Sequence, residues 1–277
     1  MLGRSLLILL LGAGLSACRT DEQGVNDPFL WLEEIESPRA LAWVAARNAE
    51  SLGVLEAEPG YAAYRDRAHA ILAAADRIAL PEIMGETVYN FWQDAQHVRG
   101  LWRRASLASY RAGAPAWETV LDIDALAARE SENWVWKGAN CKAPAYRRCI
   151  VALSRGGKDA TVLREFDLDA KQFVAGGFAV PEAKTWFDWY DDDALMIGTD
   201  FGPGSRTQAG YPRMVHLWRR GTALADARPL SHVPHNALGA NALARFAKSR
   251  ADHVLIDALT FFTGTVRHIA PDGRQIA

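Results

Sequence analysis

The chain has little of what usually marks a reactive or membrane-spanning protein. Its 277 residues include three cysteines, four methionines and seven histidines. No apolar run approaches the roughly 20 residues needed to cross a bilayer. Lysine and arginine total 31 against 33 aspartates and glutamates, for a net charge of -2, so no polyanion is favoured and nucleic acid is not expected as a partner. No G-x-S-x-G pentapeptide occurs, so the strained turn that presents a hydrolase serine is missing. The nearest text, Gly202-Pro203-Gly204-Ser205-Arg206, lacks the second glycine and leads into no helical pattern, which makes Ser205 a loop residue rather than a nucleophile.

Other sites are excluded on similar grounds. A phosphate loop needs a lysine followed by serine or threonine and then a helix, and residues 198–205 supply neither. Asp191-Asp192-Asp193 lacks the spaced ligands and terminal glutamate of a calcium hand, and reads as a solvated turn. His232 and His235 form the one close histidine pair, but Pro234 between them argues against a helical ligand pair, and no cysteine or acidic cluster stands nearby. A triad histidine needs a serine to serve, and none is available. The expectation is therefore no catalytic residue, no metal and no cofactor on this chain.

What the chain has is apolar and aromatic. Hydrophobic residues make up 49%, with ten tryptophans, ten phenylalanines and seven tyrosines, enough for a large core built from packed sheet faces. From Pro81 onward, short strand-like runs alternate with turn clusters such as Arg155-Gly156-Gly157-Lys158-Asp159, Gly202-Pro203-Gly204-Ser205 and Arg219-Arg220-Gly221-Thr222. Hairpin signals at residues 110–113, 154–157, 219–222 and 271–274 are spaced at about fifty residues, close to a propeller-blade period. They predict three blades and part of a fourth, with Asp272-Gly273 opening a last hairpin. Trp134, Trp136, Trp186, Trp189 and Trp218 fit better between blades than along a peptide tunnel.

The N-terminal part has a different texture. Arg4, an apolar run over residues 6–15 and then Leu15-Ser16-Ala17-Cys18 resemble a bacterial lipoprotein signal, which implies lipid on Cys18 and export to the periplasm with a membrane anchor. The alternative is an ordinary secretory signal. Residues 1–18 are thus assigned as leader, 19–26 as a polar tether, 27–80 as a helical segment and 81–277 as an incomplete propeller. Ser37-Pro38 predicts a helix start, with Leu41, Val44, Ala45 and Leu52 on one face and Gly53 at its end; a second helix is expected from Tyr61 to about Ala75. In an exported chain, Cys141 and Cys149 are spaced to close a disulfide, leaving Cys18 for lipid; two buried thiols are the alternative.

The order of several words resembles the β-propeller of the prolyl oligopeptidase family of serine peptidases. They are Asp27-Pro28-Phe29-Leu30-Trp31-Leu32-Glu33, then residues 151–157, Arg164-Glu165-Phe166-Asp167, Gly177-Phe178, Pro181-Glu182-Ala183-Lys184, residues 198–205, Gly210-Tyr211-Pro212-Arg213 and Trp218-Arg219-Arg220-Gly221-Thr222. The resemblance covers residues 27–277 and implies a mainly β fold, a partial propeller of three to four blades behind a short helical segment. It also implies that the family's C-terminal α/β-hydrolase domain is absent from this sequence, which looks truncated. Two functions follow as expectations. The first is the front of an exported peptidase acting on short, proline-containing peptides when its hydrolase part is present, the propeller restricting access. The second is a lipid-anchored propeller that binds peptide or protein without chemistry.

Overall fold

The computed structural model describes residues 27–34, 37–74, 76–247, 250–270 and 273–276. The leader, the tether and Cys18 lie outside them. The described residues form two compact units, one ending at Leu72 and one beginning at Ala73.

The first unit is helical. Helix α1 (Pro38–Glu56) starts where Ser37 accepts the Ala40 amide, with proline at the first position where its missing N–H costs nothing. It does not stop at Gly53 as the sequence reading expects. One glycine costs an interior turn only about 1 kcal/mol, less than the continuing ladder returns. Helix α2 (Tyr61–Leu72) ends before Ala75. Ahead of α1, Trp31 and Phe29 pack around Trp43 at 6.2 and 6.4 Å, and the Arg39 guanidinium lies 4.0 Å over Trp31. Only Ala40 of these two helices is buried, whereas Leu41, Val44, Leu52, Tyr64 and Leu72 face outward.

The second unit is four consecutive antiparallel sheets. The first holds β1 (Glu82–Met84), β2 (Thr87–Trp92), β3 (Leu101–Ser106) and β4 (Glu118–Asp122). The second holds β5 (Trp134–Cys141), β6 (Arg148–Arg155), β7 (Thr161–Asp167) and β8 (Gln172–Phe173), with β9 (Ala179–Ala183) also paired to β7. The third holds β10 (Trp186–Asp191), β11 (Ala194–Gly198), β12 (Met214–Arg219) and β13 (Arg228–His232). The fourth holds β14 (Gly239–Ala247), β15 (Arg250–Ala258), β16 (Gly264–Ile269) and β17 (Gln275–Ile276). Each is a meander in chain order, the blade of a β-propeller. The fourth blade has its outer strand, because His268 and Ile269 pair with Ile276 and Gln275.

Two of the four turn signals sit elsewhere than the sequence suggests. Residues 110–113 are not a hairpin tip but the end of helix α3 (Leu107–Arg111), which opens where Ser106 accepts the Ser109 amide. Gly156 and Gly157, with φ of 69° and 89°, turn β6 into β7, between the second and third strands of their blade rather than at its tail. A second short helix, α4 (Ile123–Glu130), follows β4, capped by the Asp122 carboxylate on the Ala125 amide.

Three cores lie between successive blades. Trp102, Trp134, Phe166 and Leu126 fill the space around blades one and two. Ile150, Phe178, Trp189, Leu195 and Trp218 fill the space between two and three, and Met196, Val215, Ala240 and Leu255 that between three and four. Cys141 and Cys149, directly opposite in the β5–β6 register, are joined by a disulfide with Cα atoms 3.9 Å apart.

Candidate functional site

The long connection between β11 and β12 builds the most structured surface feature. Asp200 begins it. Its Oδ1 accepts the Gly202 amide and the Ser205 hydroxyl, both at 2.9 Å, and Ser205 Oγ accepts the Phe201 amide at 2.9 Å. The chain therefore folds into a closed turn over four residues, made possible by a short acidic side chain beside two glycines. The Gly202 amide, with the Ser205 hydroxyl and the Arg206 guanidinium 3.4 Å away, holds the Asp200 carboxyl below the usual aspartate range.

Around that turn runs a groove. One part, of about 580 Å³, is lined by Asp200, Arg206, Thr207, Gln208 and His235 among others; an adjoining part of about 270 Å³ is shared by Asp200, Arg206, Glu182 and Lys184. Trp186 and Tyr211 stack beside it at 5.5 Å and 14°, with the Lys184 ammonium 4.2 Å over the tyrosine ring. Gly239 makes room for this pair, since a Cβ there would stand 2.6 Å from Trp186. The groove offers an ionised carboxylate, two cations and an aromatic face, which suits contact with a polar, peptide-like group.

It offers no nucleophile. Ser205 is 1% exposed and its single hydroxyl proton is divided between Asp200 Oδ1 and the Gly202 carbonyl, so it is a turn lock. Among the described residues no histidine ring bonds a serine hydroxyl. His97 pairs with Asp94 at 2.9 Å in a loop, and His253 Nε2 donates to the Tyr190 carbonyl at 2.6 Å while its ring stacks on the Tyr190 ring at 4.2 Å. His216 is buried 4.1 Å from Phe201, its Nδ1 without a partner, and burial lowers its pKa. His235 lines the groove and His232 ends β13, but among the described residues no three His, Cys, Asp or Glu side chains converge as metal ligands. Asp191, Asp192 and Asp193 face Arg219, Lys142 and Arg220 at 3.9, 3.6 and 2.9 Å, a turn whose charges are already met.

Two acidic residues that the sequence reading gave no structural role fasten the blades. Asp188 accepts Asn140 Nδ2 from blade two at 3.0 Å and the Ala244 amide from blade four at 2.7 Å. Glu165, 1% exposed, accepts the Phe178 amide at 2.9 Å and the Arg220 guanidinium at 2.6 Å. Their only sequence signal is a carboxylate beside the large apolar residues Phe166 and Trp189 within a strand.

Comparison with known proteins settles the lineage. The profile of the prolyl oligopeptidase N-terminal β-propeller domain matches residues 17–264. This chain belongs to that family. It is 41% identical over 203 residues to an uncharacterized peptidase of Sinorhizobium fredii, covering 73% of this chain and 28% of the relative. It is 28% identical over 263 residues to an uncharacterized peptidase of Rickettsia prowazekii, covering 91% of this chain and 35% of that one. The chain thus spans about a third of the length of these relatives. Among solved structures it is similar to a post-proline cleaving enzyme from Rickettsia typhi, with a TM-score of 0.71, 26% identity and coverage of 87% of this chain and 38% of that one. All strands of this propeller member fall in antiparallel blades, so the described residues hold no parallel α/β-hydrolase sheet.

Proposed function

We propose that this chain is the propeller portion of an exported serine peptidase that cleaves short, proline-containing peptides, with the reaction itself carried by an α/β-hydrolase portion. The likeness to a post-proline cleaving enzyme over nearly the whole chain carries this reading. The propeller's task is contact and exclusion. Its groove of Asp200, Arg206, Lys184 and the Trp186–Tyr211 pair meets peptide polar groups, while the packed blades keep large substrates out. The nucleophile, base and oxyanion donors of a serine hydrolase act as a unit, so without them no residual peptide chemistry is expected. Lipid on Cys18 holds the protein at the periplasmic side of a membrane; Cys18→Ser should move it to the soluble fraction.

The purified chain, offered a short chromogenic proline peptide and a fluorophosphonate probe, should neither turn over nor label. A chimera in which residues 27–276 replace the matching propeller residues of the Rickettsia typhi enzyme should cleave that peptide and leave folded proteins intact. A folded chimera with no post-proline cleavage, or probe labelling within this chain, would sink the reading.

A further inference from the structure

The turn between β15 and β16 carries the most exposed large apolar side chains of the described residues. Phe261 and Phe262 are 83% and 90% exposed and lie edge to face at 5.1 Å. The surrounding stretch, residues 259–266, reads LTFFTGTV and holds no charge. Four of its amides and both threonine hydroxyls find partners within the turn itself. The Leu259 and Thr260 amides donate to the Thr263 carbonyl at 3.0 Å, the Phe262 and Thr263 amides donate to Thr260 Oγ1 at 3.2 and 3.1 Å, and the two threonine hydroxyls share a 2.7 Å bond. Beside the tip, Gln208, Ala209, Asn236, Ala237 and Leu238 form a neutral collar around a shallow hollow of about 360 Å³.

We infer that this tip is a membrane-contact element, which inserts the two phenylalanine rings shallowly into the headgroup and acyl boundary of a lipid bilayer. Three features point to lipid. A turn that closes four of its amides on itself strands few polar groups on leaving water, and shallow insertion keeps the remaining backbone at the headgroup level, where hydrocarbon does not penalise it. The neutral collar sets no charged side chain against the hydrocarbon. Two rings on a protruding tip cover far less than the roughly 800 Å² that each partner of a stable protein interface buries, but they are what supplements a lipid anchor, since one weak membrane signal alone binds reversibly. The inference rests on the membrane location read from residues 15–18, though not on the lipid itself.

The test uses the full chain as Cys18→Ser, so that lipid plays no part, and neutral phosphatidylcholine–phosphatidylethanolamine vesicles. A Phe262→Cys version carries an environment-sensitive dye, the disulfide occupying the other two thiols. Vesicles should shift the dye emission to the blue. Phe261→Ser/Phe262→Ser, with its thermal unfolding unchanged, should partition about tenfold or more weakly, and salt should change neither result, because no charge is involved. No vesicle-dependent shift, or equal partition of the serine variant, overturns the inference. So does a dye already blue-shifted without vesicles, which would show a protein surface covering the tip. Failure of Cys18→Ser to release the protein in cells is a separate readout and speaks only to the anchor.

Discussion

Blades three and four have the same four-strand meander but are buried differently. In blade three every residue of β11, Ala194 to Gly198, is buried, because both sheet faces are covered. In blade four, β14 and β15 alternate along much of their length, with Ala242 and Leu255 inside and Leu243 49% exposed on the other face, where Val266 of the neighbouring β16 is 61% exposed. A continuous apolar run therefore marks a strand covered twice, and alternation a strand covered once. Their ties differ too. Blade three is held to blade two by the Glu165–Arg220 pair and by Trp189, whose indole N–H donates to the Asn140 carbonyl at 3.0 Å.

The sharpest way to break this comparison is to truncate one side chain on each kind of face. Trp189→Ala, at 0% exposure between two blades, should cost about 3–5 kcal/mol in urea unfolding, as large core truncations do. Leu243→Ala should stay within about 0.5 kcal/mol, as exposed positions do. Equal losses would mean that the open face of blade four is covered in solution. The next effect concerns the charged tie. Arg220→Ala leaves the Glu165 carboxylate buried with one amide donor, and should cost about 3 kcal/mol, near the lower end for breaking a buried pair because the arginine is partly exposed. Replacing both, as Glu165→Leu/Arg220→Met, should recover most of that loss; if it does not, the pair contributes through something other than compensation of a buried charge.

Much of this architecture was legible from residues alone, and the misses have physical causes. The start of α1 at Ser37-Pro38 and the sheet texture after Pro81 are local signals, written in capping and turn chemistry. Residues 110–113 misled because a five-residue helix ends on the same glycine that a hairpin would use. Asp188 and Glu165 were illegible for a different reason. Their partners Asn140, Ala244 and Arg220 lie 48, 56 and 55 residues away, and nothing local announces a bond across blades. The groove around Asp200 was half legible: its loop was plain as a turn, but the approach of His235 and Lys184 depends on the blade closing first.

The disulfide gives a smaller effect, confined to blade two. It closes a loop between residues 8 apart, for which chain entropy gives about 2–3 kcal/mol. Cys141→Ser/Cys149→Ser should lose that much stability while leaving the Glu165 and Trp189 ties between blades two and three intact. Mass mapping of unreduced peptides checks the bond directly, and two unpaired thiols in protein purified without reductant would remove its basis.

The smallest effect tests the seam between blades three and four by pH. Burial lowers the pKa of His253, against opposing contributions from the Tyr190 carbonyl, Asp188 and Asp191 and with a smaller push in the same direction from His268. His216, inside blade three, is lowered by burial alone. A histidine whose folded pKa lies below the unfolded value of about 6.5 favours the native state when neutral, so its stabilisation is complete above that pH and is lost as pH falls through the folded value. The carboxylates held low, among them Asp94 and Glu118 at about 2, begin to cost stability only below their unfolded pKa values of about 4. Between about pH 6.5 and 4.5 the histidines therefore dominate the loss, opposed by Glu82, whose pKa burial raises so that protonating it favours the native state. His253→Gln keeps a donor for the Tyr190 carbonyl but cannot be protonated, so unfolding free energy should fall less steeply across that window than in the parent, with the remainder set by His216 against Glu82. An unchanged slope would place the acid sensitivity outside the blade three to four seam.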